Sequence, residues 1–132
     1  MIRTLYEPDH EAYRETVREF LAREVVPHHL EWDAARWIDR EVFPRAAKAG
    51  IYGLEIGEEY GGSGVSDYRY RMVVCEEIAR INALSFGLTI ALQDDLVLHY
   101  LLDLCDDNQR QRWLPGFASG TIIGALAMTE PG

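Results

Sequence analysis

Two cysteines among 132 residues, Cys75 and Cys105, are too few to staple a fold, and both fall inside helical patterns. Without a secretory signal such a pair reads as free thiols rather than as a disulfide. An apolar signal region is missing too, because Arg3, Glu7, Asp9 and Glu11 interrupt the N-terminus. No apolar run approaches the ~20 residues needed to span a bilayer. These absences predict a cytoplasmic chain without membrane insertion. Basic residues are scarce, 13 against 22 acidic ones, giving a net charge of −9. That sign repels phosphate backbones and anionic headgroups and argues against general nucleic-acid or membrane-surface binding. Internal repeats and low-complexity tracts are also lacking, and nearly half the residues are apolar, so the chain is an ordinary globular one with enough length for a single core.

Most of the chain carries helical signals. Pro8 with Asp9 and Glu11 opens a helix whose apolar face is Tyr13, Val17, Phe20, Leu21 and Val25, and Pro27 is expected to end or kink it. A second helix is expected over 28–38. Its His28, His29, Glu31 and Asp33 do not repeat at a metal-ligand spacing and read as a solvated face, so no metal site is assigned. A short helix follows from Asp39-Arg40-Glu41 to Ala49. Six glycines between positions 50 and 64 then punctuate the chain. Gly61-Gly62-Ser63-Gly64 lacks the Gly-Lys-Ser/Thr ending of a phosphate-binding loop and reads as a turn.

Ser66 or Asp67 caps the next helix, with Tyr70, Val73, Val74, Ile78 and Ile81 on one face. Glu76 and Glu77 within it diverge by ~100° and cannot share one reacting atom, so they read as solvated or ion-paired. The most apolar helix runs from Phe86 to Leu104, interrupted by Asp94-Asp95 and His99; leucines on several of its faces predict burial on more than one side. A last helix over about Gln109–Leu114 is expected to stop at Pro115-Gly116. The run Thr121 to Met128, closed by Thr129-Glu130-Pro131-Gly132, has the composition of a buried strand entering a turn. No second strand is evident for it to pair with. The expected fold is therefore all-α, a bundle of about five helices, ending in a single strand that opens a β domain absent from the chain.

Four stretches carry a resemblance when taken in order: Glu58-Glu59-Tyr60-Gly61-Gly62-Ser63-Gly64, Glu76-Glu77-Ile78-Ala79-Arg80, the segment from Gln109 to Gly120 with Leu114-Pro115 and Ser119-Gly120, and Met128-Thr129-Glu130-Pro131-Gly132. Together they resemble the acyl-CoA dehydrogenase family over essentially the full chain. The resemblance implies an N-terminal helical domain at 1–120 and the first strand and turn of an incomplete middle β domain at 121–132. It implies FAD-dependent α,β-dehydrogenation of an acyl-CoA thioester, in a homo-oligomer when the enzyme is full-length. By position Thr129 matches a residue that hydrogen-bonds the flavin ring, and Leu126 and Met128 match residues whose backbone borders it. Hydride transfer builds negative charge on the flavin's pyrimidine side, which fixed N–H and O–H donors stabilise. Leu88, Thr89 and Leu92 match the wall of the family's acyl channel, although leucines on a buried helix serve a core equally well.

The catalytic glutamate of the family belongs to a C-terminal bundle, so no catalytic residue is assigned here, and FAD is not expected to stay on this chain alone. Gly57 stands where the family often has proline. The competing reading is a non-catalytic helical interaction module, or a split-gene product that needs a partner chain. Related flavoenzymes, acyl-CoA oxidases and flavin-dependent monooxygenases, share the same helical domain.

Overall fold

The computed structural model describes residues 4–130, and among these the only regular structure is helical. Six helices are present: α1 Pro8–Glu24, α2 His29–Ala35, α3 Val42–Lys48, α4 Tyr68–Arg80, α5 Leu84–Ala91 and α6 Asp107–Ala118. A 3₁₀ turn, Glu58–Tyr60, sits in the glycine-rich loop. Helix α5 does not stop at Ala91. It runs on through two π-helical stretches, Leu92–Val97 and Tyr100–Leu104, so the central helix reaches Leu104 as its composition predicts.

Side chains at the helix ends explain where they begin. The Glu7 N–H donates to His10 Nδ1 (3.1 Å) at the start of α1, while His10 Nε2 lies 3.3 Å from Asp67 Oδ2, the cap of α4. Asp67 in turn accepts from the Arg69 N–H at 3.0 Å, satisfying one of the orphan donors of a helix start. Asp106 and Gln109 form a reciprocal capping box on α6, with bonds of 2.8 and 3.0 Å.

Helix α6 passes through Pro115 instead of stopping there. The proline ring removes one N–H, but its own carbonyl accepts from Ser119, and the Gly116 carbonyl accepts from Thr121 and Ile122. Continuing the helix drives Leu114, Phe117 and Ala118 into the core, and that burial outweighs the local penalty.

The core lies between α1 and α4, with α5 packed against α4 and α2. Val17, Phe20, Val74, Ile78, Phe86 and Phe117 are all buried in it. Glu77 is buried as well, held by Arg14 (3.0 Å), Arg18 (2.9 Å) and Arg80 (2.7 Å), so its role is ionic and joins α1 to α4. Burial raises its pKa, but the guanidinium hydrogen bonds from Arg18, Arg80 and Arg14 prevail and hold it down at about 2. His99, by contrast, is exposed.

Burial of α5 on more than one side is not what the chain achieves. Phe86, Ile90 and Leu98 face the core, whereas Leu84, Leu88 and Leu104 are 67%, 73% and 73% exposed.

The expected strand is also not formed: residues 123–130 have no regular secondary structure, and no strand occurs among the described residues. A strand exists only as part of a ladder, and among the described residues there is no second strand to pair with this segment. Pro131 and Gly132 of the expected turn lie outside the described residues.

Candidate functional site

After α2 the chain turns sharply at Arg36, whose φ of 53° is left-handed, and its N–H closes the helix on Asp33 O at 3.3 Å. That turn brings Trp37 and Ile38 round to face α5. Opposite them, Gly120 ends α6 with φ 70° at a point where a Cβ would collide with the Phe43 carbonyl. Only glycine satisfies both conditions, and it redirects residues 121–125 back over the bundle. Between these segments and α5 lies a groove of about 620 Å³, bordered by Trp32, Trp37 and Ile38 on one side, Leu88 and Thr89 on α5, and Ile123 to Ala125. Arg36, Arg40 and Asp33 supply its charged rim. Its floor is aromatic: Trp32 and Phe43 lie with ring centroids 6.3 and 6.4 Å from Phe86.

The residues expected at a site fall into two layers. Leu88 projects from α5 at the groove and also borders a second apolar groove of about 490 Å³ with Cys75, Ile78 and Leu84. Thr89 uses its hydroxyl on Ser85 O at 2.9 Å, leaving its methyl for the groove. Leu92 is not at the groove; it is half-buried and packs against the core, as does Leu126. Met128 and Thr129 are exposed beyond the groove's end. The tryptophans of the far wall were not anticipated: Trp32 and Trp37 stand among charges in the sequence, and only the left-handed turn at Arg36 reveals which way they point.

Two consecutive polar side chains on α5 hold the loops in place. Gln93, 1% exposed, donates from Nε2 to the Gly124 carbonyl (2.9 Å), and its Oε1 accepts from the Gly124 N–H (2.7 Å). Asp94, also buried, accepts from the Gly53 N–H at 3.0 Å, while its second oxygen has no partner among the described residues. Burial pushes the Asp94 carboxyl up to about 6, against the opposing pull of the Gly53 hydrogen bond and of Arg71. Arg71 is engaged by Asp95 through a two-pronged pair of 2.9 and 3.0 Å. Among the described residues no group of three or more His, Cys, Asp or Glu is arranged to hold a metal ion.

Comparison with known proteins assigns this arrangement to a family. The family model described as acyl-CoA dehydrogenase, N-terminal domain, matches residues 7–121. The chain belongs to the acyl-CoA dehydrogenase family. The mitochondrial long-chain specific acyl-CoA dehydrogenase of Mus musculus is 39% identical over 131 residues, which cover 99% of this chain and 30% of that protein. The mitochondrial isovaleryl-CoA dehydrogenase of Oryza sativa subsp. japonica is 32% identical, over 96% of this chain and 31% of its own length. A crystal structure of an acyl-CoA dehydrogenase from Geobacillus kaustophilus superposes with a TM-score of 0.89 at 31% identity, covering 98% of this chain and 33% of that one. The chain thus spans about 30% of the length of the curated dehydrogenases it matches.

Both of these curated dehydrogenases are named as mitochondrial, and they lend no support to a cytoplasmic location. That expectation rested on a missing apolar signal region, which says nothing about an organelle address. No helix among the described residues is long and apolar enough to cross a membrane.

Proposed function

We propose that the chain furnishes the acyl-binding side and one flavin edge of an FAD-dependent acyl-CoA dehydrogenase, which removes hydrogen across the Cα–Cβ bond of an acyl thioester. The groove carries this reading: Leu88 and Thr89 on one wall and Ile123 to Ala125 on the other border a single space, joining the acyl-tail candidates to the segment that leads to Thr129. Leu92 serves as the packed layer behind that wall. In this reading residues 1–120 are the helical domain and 121–132 open the middle domain.

The terminal segment fits a flavin in one testable respect. The backbone groups of residues 125–130 make no hydrogen bond with other described residues, and the Thr129 hydroxyl is equally unengaged and exposed. Bound FAD would supply the hydride acceptor. Thr129, through its hydroxyl and main chain, would donate to the ring's polar edge, with the backbone of Leu126 and Met128 alongside. The proton-abstracting base is assigned to no residue of this chain. FAD retention, turnover and homo-oligomerisation are therefore expected only with the family's middle and C-terminal domains present.

The test combines this chain with a polypeptide carrying those two domains, adds FAD and an acyl-CoA, and follows bleaching of the flavin's visible absorbance. Bleaching is expected only in the mixture. A mixture that forms a complex but never bleaches would overturn the enzyme reading in favour of a non-catalytic docking module, for which the exposed Leu84, Leu88 and Leu104 would serve. Bleaching by this chain alone would overturn the division of labour.

A further inference from the structure

The segment from Gly124 onward has no neighbouring strand, yet its placement over α5 is specific. At Gly124 a Cβ would collide with the Val97 side chain and crowd Phe117, so the backbone lies directly on the helix. There the Gln93 amide meets the N–H and the C=O of one residue together. This is the pattern that a paired residue of an antiparallel ladder presents, supplied here by a side chain. The amide orientation is dictated by its partner, since the Gly124 N–H requires an oxygen and the Gly124 carbonyl requires a donor.

Gln93 and Asp94 lie in the π-helical stretch Leu92–Val97, and both are buried with each capturing a different loop. From 124 to 127 the exposure alternates, Gly124 and Leu126 half-buried and Ala125 and Ala127 exposed, before Met128 and Thr129 both face solvent. In an extended chain a slip of one residue would exchange the two alternating sets.

We propose that Gln93 is a positioning residue: its buried amide stands in for a strand partner and sets the register in which the chain leaves the groove from Gly124 towards Thr129. Its bearing on the reaction rests on the flavin reading of Thr129. The pairing itself does not.

The experiment measures hydrogen exchange at individual amides of this chain, each rate expressed as protection relative to the unstructured rate. In Gln93→Met, protection at Gly124 is expected to fall about tenfold or more, with the amides of α1 and α4 unchanged. Gln93→Glu keeps the shape and supplies the decisive readout. Its carboxylate would accept from the Gly124 N–H but face the Gly124 carbonyl with a second acceptor, so at about pH 7.5 protection is lost. Near pH 5 the buried acid takes up a proton, regains a donor and restores protection. The unsubstituted chain, measured at each pH, is the reference that cancels the charge change at neighbouring Asp94, which faces Arg71, Asp95 and Glu55.

Unchanged Gly124 protection in Gln93→Met, or Gln93→Glu protection that is the same at both pH values, would overturn the proposal. Should Gln93→Met fail to fold, Gln93→Glu compared at the two pH values decides alone. No flavin enters these measurements, so failure of the flavin reading would show only in the bleaching assay.

Discussion

Replacing Asp94 with asparagine is expected to stabilise the fold at neutral pH and leave it unchanged in mild acid. Asp94 is 7% exposed, has one oxygen on the Gly53 N–H and the other without a partner among the described residues. The ionisable groups around it are Arg71, Asp95 and Glu55, with the phenols of Tyr13 and Tyr52. Their balance leaves burial dominant, and the carboxyl rises from its ordinary 3.8 to about 6. At 1.36 kcal/mol for each tenfold change in proton affinity, the ionised form costs the folded state about 3 kcal/mol.

The sign follows from where the protons are. Between about pH 4 and 6 the folded chain holds this proton and the unfolded chain has lost it, so stability falls as pH rises through that window and is flat above it. Asparagine mimics the neutral acid, keeping an acceptor for Gly53 while removing the charge. The gain at pH 7.5 is therefore expected to be about 1 to 3 kcal/mol, vanishing near pH 4. Urea unfolding followed by far-ultraviolet circular dichroism, at half-unit pH steps, measures both. A variant less stable than the parent at pH 7.5, or one retaining the parent's slope between pH 4 and 6, would refute the reasoning.

Glu77→Gln is expected to cost about 2 to 3 kcal/mol at neutral pH, less than a fully buried pair because Arg18 and Arg80 are partly in water. The parent should itself lose that increment as pH falls from about 4.5 towards 2, since the Glu77 carboxyl is held low in the folded state; urea midpoints across that range check both statements. Gly124→Ala should destabilise the fold by about 1 to 3 kcal/mol through overpacking against Val97, seen as a lower thermal midpoint, and reduce protection of the Gly124 amide in exchange. Leu88→Ala should shift stability by no more than about 0.5 kcal/mol because the side chain is already exposed, yet slow flavin bleaching by long acyl-CoAs in the two-polypeptide mixture.

The helical architecture was legible because each element carries its own local signal. Pro8, Asp67 and Asp106 mark helix starts through backbone chemistry that needs no tertiary context, and the apolar spacing of α1 and α4 identifies their buried faces. Three features were not legible for reasons of distance. Pro115 reads as a stop until the burial of Phe117 on the far side is known. Residues 121–130 read as a strand because their composition suits one, whereas forming one depends on a neighbour. The groove joins Trp37, Leu88 and Ala125, residues far apart in the chain, and its shape depends on a left-handed residue, Arg36, that is not glycine. Gln93 was passed over as one polar residue in an apolar helix; its meaning lies in Gly124, 31 positions away.

The π-helical stretch at Leu92–Val97 makes the place at which α5 changes length as consequential as its composition. A π turn accommodates one more residue than the α turn it replaces, and such turns are prone to relax once that residue is removed. Deleting a single position there would relax the stretch to ordinary geometry and leave everything after it in phase, because the π turn already absorbs that residue. Leu98, 1% exposed, would keep its place in the core. A one-codon deletion is thus absorbed within the π stretch, whereas the same deletion in the regular turns of Leu84–Ala91 would rotate the rest of the helix by about 100°.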